Sequence, residues 1–486
     1  MPDNGSPNVL MISTDHWPGS FLGCAGKKNL MTPTLDSLAK DGVRFDNFYS
    51  ECPVCIPARR SLMTGLTPRT HGDRVYDDCL RMPNVPTLAQ TFRDNGYQAY
   101  AVGKLHVYPQ RDRIGFDDVI LQEEGRYEFG VVDDYQTWLG EQGYPGQEYM
   151  HGMGNNTYYT RNWHLPEYTH PTNWATTQMM RMIKRNDPTR PAFYYISYIF
   201  PHPPLVPLDV YWNMYGDDDI DAPVVGDWVD DSFIMRTMTE MRRAYSDKEM
   251  RLAKRAFYAQ CTHIDHQIRM LLGCLRESSL LDNTLVVFMS DHGDMLFDHD
   301  MVAKRCFYEN AARVPLIVSG NPIAAKRGTV DRRLGGMTDV MPTVLDICGL
   351  EIPSHAEGKS LWSGERHTRF YGEVGEGPKA TRMIRDDRHK LIYYPSGNIV
   401  QLFDLEEDPR ELHNMAENSA VRGVRGRLEN ELVKHLYGKD LEWIVDGMLV
   451  GMPAQEYVRK ADYGLYNQRG LHWPAPTGYS NIGKNA

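Results

Sequence analysis

The sequence predicts an α/β layered protein: a large central, mostly parallel sheet flanked by helices, followed by a smaller C-terminal α+β domain containing an antiparallel sheet. Three observations predict it. Short apolar, β-rich runs alternate with helix-like segments over most of the chain, as in sheets whose parallel strands are joined by helices. Each of those runs ends in polar residues able to do chemistry, and open α/β sheets bind ligands beyond the carboxyl ends of their strands. After about residue 365 the texture changes to short strands with turns between them. The division expected is therefore 1–365 for the α/β domain and 366–486 for the α+β domain.

Taken in order, the run at 9–13 (VLMIS) leads into Thr14-Asp15-His16, and the run at 97–102 (YQAYAV) into Gly103-Lys104-Leu105-His106. The run at 193–200 (FYYISYIF) leads into Pro201-His202-Pro203-Pro204, and that at 284–289 (TLVVFM) into Ser290-Asp291-His292-Gly293-Asp294. Helix-like stretches at 34–39, 87–95 and 247–277 lie between them. In the second domain, strands are expected at 382–385, 390–394 and 401–405, then a helix from about 420 to 437. The last 40 residues, rich in Tyr, Trp, Gly and Pro, are expected to cover the site or join a partner in a homo-oligomer.

A chain of 486 residues with 41% hydrophobic content can bury a large core. Its net charge of −11 argues against a general nucleic-acid or anionic-membrane binder, while leaving room for a local basic pocket. No apolar run approaches 18 residues, and the start MPDNGSPNVLMIS lacks the pattern of a leader, so a cytoplasmic protein is expected. Eight cysteines scattered at 24, 52, 55, 79, 261, 274, 306 and 348 are too sparse for a disulfide scaffold. The acidic run at 216–221 reads as a solvated loop, because the spacing of a calcium-binding hand is absent.

The stretch CPVCIPARRSLMTG at 52–65 carries the chemistry. Its Cys-x-x-Cys has no second copy, so a four-ligand zinc site is not indicated. Pro57 favours a helix first turn, where its missing N–H costs nothing, and this puts Cys55 at a helix N-terminus. That end of a helix stabilises negative charge, and Arg59 adds a fixed cation one turn on. The result is a place to hold an oxyanion and ionise a nucleophile. Cys52 reads as a small buried hydrophobe.

Cys55-Ile56-Pro57-Ala58-Arg59 with Ser61-Leu62-Met63-Thr64-Gly65 resembles the signature of the type I sulfatases, members of the alkaline-phosphatase-like superfamily. The resemblance extends through Asp15, Gly103-Lys104-Leu105-His106 (with Leu where that family has Trp), Pro201-His202-Pro203-Pro204, Ser290-Asp291-His292-Gly293-Asp294, and Lys304 through Arg313-Val314-Pro315-Leu316. It continues into Leu402-Phe403-Asp404-Leu405 with Asp408-Pro409 and Asn414. It implies hydrolysis of sulfate esters by formylglycine, made from Cys55 by a formylglycine-generating enzyme, with the hydrated aldehyde as nucleophile. It also implies one divalent metal on Asp15, Asp291, His292 and residue 55, with Arg59, Lys104 and Lys304 sharing the sulfate charge. His106 is implied in sulfate release, and either His202 or Lys304 as proton donor to the leaving group.

The metal implied is Ca²⁺, but His16 follows Asp15 where many sulfatases have a further acid or amide. Nitrogen from His16 and His292 would suit Mn²⁺ or Zn²⁺, with Mg²⁺ also open. Alternatively, His16 points away and leaves three protein ligands plus residue 55. Trp17, Tyr76, Asp77, Asp78 and Tyr108 are expected to line the pocket. His71, His263, His266 and His299 read as structural. The expected substrate is a small-molecule sulfate ester, and the stretch from about 118 to 190 leans toward a sugar-sized pocket. A phosphonate monoester or phosphodiester hydrolase is the alternative, which Lys104 and His106 disfavour.

Overall fold

The computed structural model describes residues 6–124, 132–230 and 245–456. Eight strands build the central sheet: β1 (Asn8–Thr14), β2 (Gly42–Tyr49), β3 (Gln98–Gly103), β4 (Asp118–Leu121), β5 (Ala192–Ser197), β6 (Thr284–Ser290), β7 (Leu316–Ser319) and β8 (Thr329–Gly336). They lie in the order β4-β3-β5-β1-β6-β7-β2-β8, and β7 runs against both its neighbours. Register aligns the carboxyl ends of five parallel strands. Leu121 lies beside Gly103, Gly103 beside Ser197, Ser197 beside Ser13, and Thr14 beside Ser290. Whatever follows β4, β3, β5, β1 and β6 therefore emerges along one edge of the sheet.

The strands are apolar throughout because both faces are covered. On one face, Leu10 and Ile12 pack with α1 (Pro33–Lys40), α5 (Pro171–Lys184) and α6 (Asp247–Glu277), through residues such as Leu35, Met179 and Ile264. On the other, Val9 and Met11 pack with α2 (Cys55–Thr64), α3 (Leu88–Asp94) and α7 (Val340–Ile347), through Leu62, Phe92 and Val344. Helix α6 opens with a capping box in which Ser246 Oγ accepts from Glu249 N–H and the Glu249 carboxylate accepts from Ser246 N–H. The expected run at 193–200 is strand only to Ser197, after which the chain leaves the sheet toward His202.

The second sheet has the antiparallel order β12-β11-β10-β9, from β9 (Phe370–Val374), β10 (Thr381–Arg385), β11 (His389–Tyr394) and β12 (Ile399–Asp404). Helix α8 (Arg422–His435) covers one face through Leu428 and Leu432. The other face, with Met383, Ile392 and Phe403, packs on Tyr49, Val54 and Phe307 of the larger layer. Buried charge also spans this contact. Lys390 Nζ lies 2.8 Å from Glu309 and 2.6 Å from Glu411, and Asp440 takes both Arg74 and Arg382.

The stretch 118–190 does two things: it supplies edge strand β4, α4 (Asp134–Glu141) and α5, with Tyr135, Leu139 and Trp174 in the core, and it lines a cleft through Glu124, Tyr149, His151 and Trp163. One expectation changes. In the acidic run, Asp217 and Asp218 are solvated, but Asp221 is paired with Lys27 at 2.8 Å and also takes the Tyr258 hydroxyl. Most of the tail expected to cover the site, from residue 457, lies outside the described residues. No helix among the described residues is long and apolar enough to cross a membrane.

Candidate active site

Cys55 is the first residue of α2, a helix buried along its whole length. Val54 precedes it in extended conformation, and the first helical bond runs from Ala58 N–H to the Val54 carbonyl at 3.0 Å. Pro57 therefore sits in the first turn, where no backbone donor is lost. The Cys55 sulfur is 3.2 Å from His292 Nε2 and 3.8 Å from Asp15 Oδ1. Burial works to raise this thiol and Asp15 adds to it, yet Lys304, Lys104 and His292 bring it below its ordinary value.

Ligand atoms of Asp15, Cys55, Asp291 and His292 all lie within 4.8 Å of one another, and all four residues are buried. Each is delivered by the fold: Asp15 and Asp291 directly follow β1 and β6, and Cys55 opens α2. His292 Nδ1 donates to the Gly293 carbonyl at 2.9 Å, which aims Nε2 at Cys55 and Asp15. Two carboxylates, a sulfur and an imidazole nitrogen converging in a buried place form a donor set that suits a divalent cation. The protonation pattern agrees. Burial works to lower His292, but Asp291, the Cys55 sulfur and Asp15 raise it to about 9, so the anionic surroundings of Nε2 favour positive charge there, as a proton or a cation.

Cations ring the same point. Arg59 donates from Nε to Asp291 Oδ2 at 2.9 Å, and from one terminal nitrogen to Ser197 Oγ at 2.7 Å and the Lys104 carbonyl at 3.0 Å. Its other terminal nitrogen is buried without a hydrogen bond among the described residues, 3.5 Å from Asp15 Oδ2. Lys104 Nζ lies 2.5 Å from Asp15 Oδ2 and 2.5 Å from Glu124 Oε1. Gly103 is required before it: φ is +100°, and a Cβ there would run into the Ser197 carbonyl. Burial works to raise Asp15, but Lys104, then His202, His292 and His16, hold it well below the usual carboxylate range. The next turn is braced by Glu123, which accepts the backbone N–H of Leu105 at 2.8 Å and of His106 at 3.0 Å.

His16 lies outside that set of four, although its ring also falls within 4.8 Å of Asp15 and His202 in a second buried group able to hold a cation. Its Nδ1 is 2.5 Å from Asp294 Oδ2 and its Nε2 is 2.5 Å from Lys304 Nζ. The imidazole belongs instead to a line of rings running away from Cys55. His16 meets His292 at 4.7 Å between centroids and His202 at 4.4 Å. Burial, and then Lys304, lower His16 well below its ordinary value, so it is neutral. His202 donates from Nδ1 to the Pro203 carbonyl at 2.5 Å, and its Nε2 is 3.4 Å from Lys304 Nζ. Burial is the chief cause that lowers His202 to about 3. Beyond it opens a narrow cleft whose walls include Glu124, Tyr149, His151, Trp163 and His202.

The residues expected to bind substrate divide. Tyr76 meets the His106 ring edge-on at 6.4 Å between centroids, close to the site. Asp77 is exposed and caps its own turn by accepting from Cys79 N–H, while Asp78 and Tyr108 are half-buried without a contact to the converging ligands. Trp17 is fully buried in the core: its indole N–H bonds the Phe21 carbonyl at 2.8 Å and its ring packs on Phe288, so it lines no pocket. His71 accepts from Asp73 N–H and meets Ser61 Oγ at 3.1 Å, and His299 accepts from Gly226 N–H. His263 stacks on Tyr211 and pairs with Asn173. Sequence reasoning missed Glu123, Glu124 and Tyr158. The first two follow β4 as Asp15 follows β1, which was the available signal.

Comparison with known proteins adds the following. A family profile described as "Sulfatase" matches residues 7–350, and one described as "N-sulphoglucosamine sulphohydrolase, C-terminal" matches 297–437. The chain is 34% identical to an arylsulfatase of Clostridium perfringens over 92% of its own length and 98% of that protein. It is 31% identical to a choline-sulfatase of Rhizobium meliloti, covering 85% and 83%. Among solved structures, the phosphonate monoester hydrolase of Agrobacterium radiobacter superposes with a TM-score of 0.77 at 23% identity, covering 92% and 99%, a likeness of fold.

Proposed function

The chain belongs to the sulfatase family and is a sulfuric ester hydrolase, and we propose that it works through formylglycine made from Cys55 beside one divalent metal. The observation that carries this reading is the Cys55 position: a helix N-terminus, 3.2 Å from His292 Nε2, with Asp15 and Asp291 converging on it. Asp15, Asp291, His292 and residue 55 would hold the metal, which supplies Lewis-acid polarisation of the sulfate and lowers the pKa of a coordinated hydroxyl. Hydrated formylglycine supplies that hydroxyl. With His16 turned to Lys304, the protein's own ligands are two oxygens and one nitrogen, a set open to Ca²⁺, Mg²⁺ or Mn²⁺.

The chain's other residues divide the remaining work. Arg59 is locked by Asp291, Ser197 and the Lys104 carbonyl, and its second terminal nitrogen is left for a sulfate oxygen. Lys104, held between Asp15 and Glu124, adds fixed positive charge where charge develops in the transition state. His202 Nε2 is bare when its Nδ1 proton sits on the Pro203 carbonyl, so it has no proton to give. Lys304 carries only donors, which makes it the proton source for the leaving oxygen. His106, with its backbone fixed by Glu123, is the residue assigned to sulfate release. A small organic sulfate is the substrate this reading favours over a polymer. The arylsulfatase and choline-sulfatase relatives support the same choice.

The test pairs mass spectrometry of the peptide bearing Cys55 with turnover of matched aryl sulfates and aryl phosphonates. A residue 55 that stays a thiol in active enzyme sinks the nucleophile. Faster turnover of a phosphonate than of every sulfate sinks the substrate class.

A further inference from the structure

We propose that His16 is a positioning residue: Asp294 fixes its tautomer, and the bare Nε2 that results holds the Lys304 ammonium toward the leaving-group side of the ester. This rests on the sulfatase reading above and goes beyond it. The argument begins at Asp294, a buried carboxylate with four donors. Oδ1 accepts from the backbone N–H of Leu296 at 2.8 Å and of Ala303 at 3.1 Å, while Oδ2 takes the Tyr158 hydroxyl and His16 Nδ1. A carboxylate only accepts, so the imidazole proton is on Nδ1 and Nε2 offers a lone pair. An ammonium only donates, and Lys304 Nζ is 2.5 Å from that lone pair. Both ends of the ring are thus assigned by the chemistry of their partners.

The loop carrying Lys304 is held by the same carboxylate. Ala303 and Arg305, on either side of Lys304, have φ of 66° and 73°, and Leu296, Phe297, His299 and Asp300 are also left-handed without being glycine. Such backbone persists only where surroundings over-determine it, and it concentrates at functional sites. Here Asp294 bonds Ala303 N–H, next to Lys304 in the chain, and so places the cation and its acceptor together. The order Cys55, His292, His16, His202 and then the cleft sets the direction. A sulfuryl group at residue 55 has its bridging oxygen outward, where Lys304 reaches it.

Four variants separate this role from a metal-ligand or packing role. His16→Asn keeps a donor for Asp294 but has no acceptor for Lys304, whereas His16→Gln keeps an acceptor near the Nε2 position. Asp294→Asn donates to Nδ1 and so turns an N–H toward the ammonium; Tyr158→Phe removes one donor from Oδ2. His16→Asn and Asp294→Asn should lower kcat/KM about 10- to 100-fold, the worth of a hydrogen bond to a charged group. The loss should grow with the pKa of the leaving phenol, and bound metal per chain should not change. His16→Gln should recover much of the loss, and Tyr158→Phe should lose less than Asp294→Asn. Loss of metal, an equal loss for good and poor leaving groups, or equal activity of His16→Gln and His16→Asn would each overturn the proposal. Aryl sulfates and aryl phosphonates sharing the same phenols are run in parallel. A failure of the sulfatase reading appears in the unmodified enzyme, while a failure of this proposal appears only in the pattern among variants.

Discussion

Replacing Asp440 by Ala should destabilise the whole chain without altering its chemistry. The Asp440 carboxylate, itself buried, accepts from Arg382 Nε at 2.8 Å and Arg382 Nη2 at 3.0 Å, and from Arg74 at 2.9 and 3.1 Å. Arg74 retains Glu373 at 2.9 Å once Asp440 is gone. Arg382, fully buried, keeps the carbonyls of Thr381, Val374 and Gly375 and the face of Trp443 at 5.2 Å, so one guanidinium is left without its anionic partner. Removing one partner of a buried pair costs about 3–5 kcal/mol. That corresponds to a folded-to-unfolded ratio lower by a factor of roughly 150 to 5000. Chemical denaturation followed by fluorescence measures it, with kcat/KM taken at low temperature as the control. Because what fails is charge pairing and not shape, Arg382→Met combined with Asp440→Leu should be more stable than Asp440→Ala. A cost under about 1 kcal/mol for Asp440→Ala, or a double variant no better than the single, would refute the reasoning.

Other consequences follow from the same contacts. Cys55→Ala should abolish turnover, whereas Cys52→Ala should cost about 1 kcal/mol of stability from a small buried cavity and keep activity, as steady-state kinetics and melting would show. Glu51 is buried against the Met337 and Thr338 backbone N–H groups, and burial raises it from 4.5 to about 7. The folded state therefore binds this proton more tightly, and its stabilising contribution, complete below pH 4.5, is lost as pH rises through 7. That loss is worth up to about 3 kcal/mol, and Glu51→Gln should flatten the slope of stability against pH in that interval. In the unmodified Cys55 form, the His292 proton held to about 9 must leave when a metal binds. Affinity of stripped protein for Mn²⁺ should then fall about tenfold per pH unit from 9 to 7, and a flat profile in competition titrations would contradict it.

What the sequence disclosed and what it withheld divide along a physical line. Strand ends are local events: a β-rich run stops and a polar residue follows. Asp15, Lys104 and Asp291 were therefore legible, as was Cys55, whose helix-opening position is written in Pro57 and Arg59. The same rule reaches Glu123 and Glu124 after β4, but β4 is only four residues long and opens the stretch read as pocket-forming. Trp17 shows the rule's limit. It comes one residue after His16, yet Trp17 N–H is held by Ser290 Oγ and the indole is carried into the core. His16 is harder still. Its ambiguity between metal ligand and bystander could not be resolved locally, because its tautomer depends on Asp294, 278 residues away, which also holds Tyr158 across 136 residues. Which atoms can bind a cation is a property of residue type. Which of them carries a proton is a property of its partners, and only the folded chain brings those together.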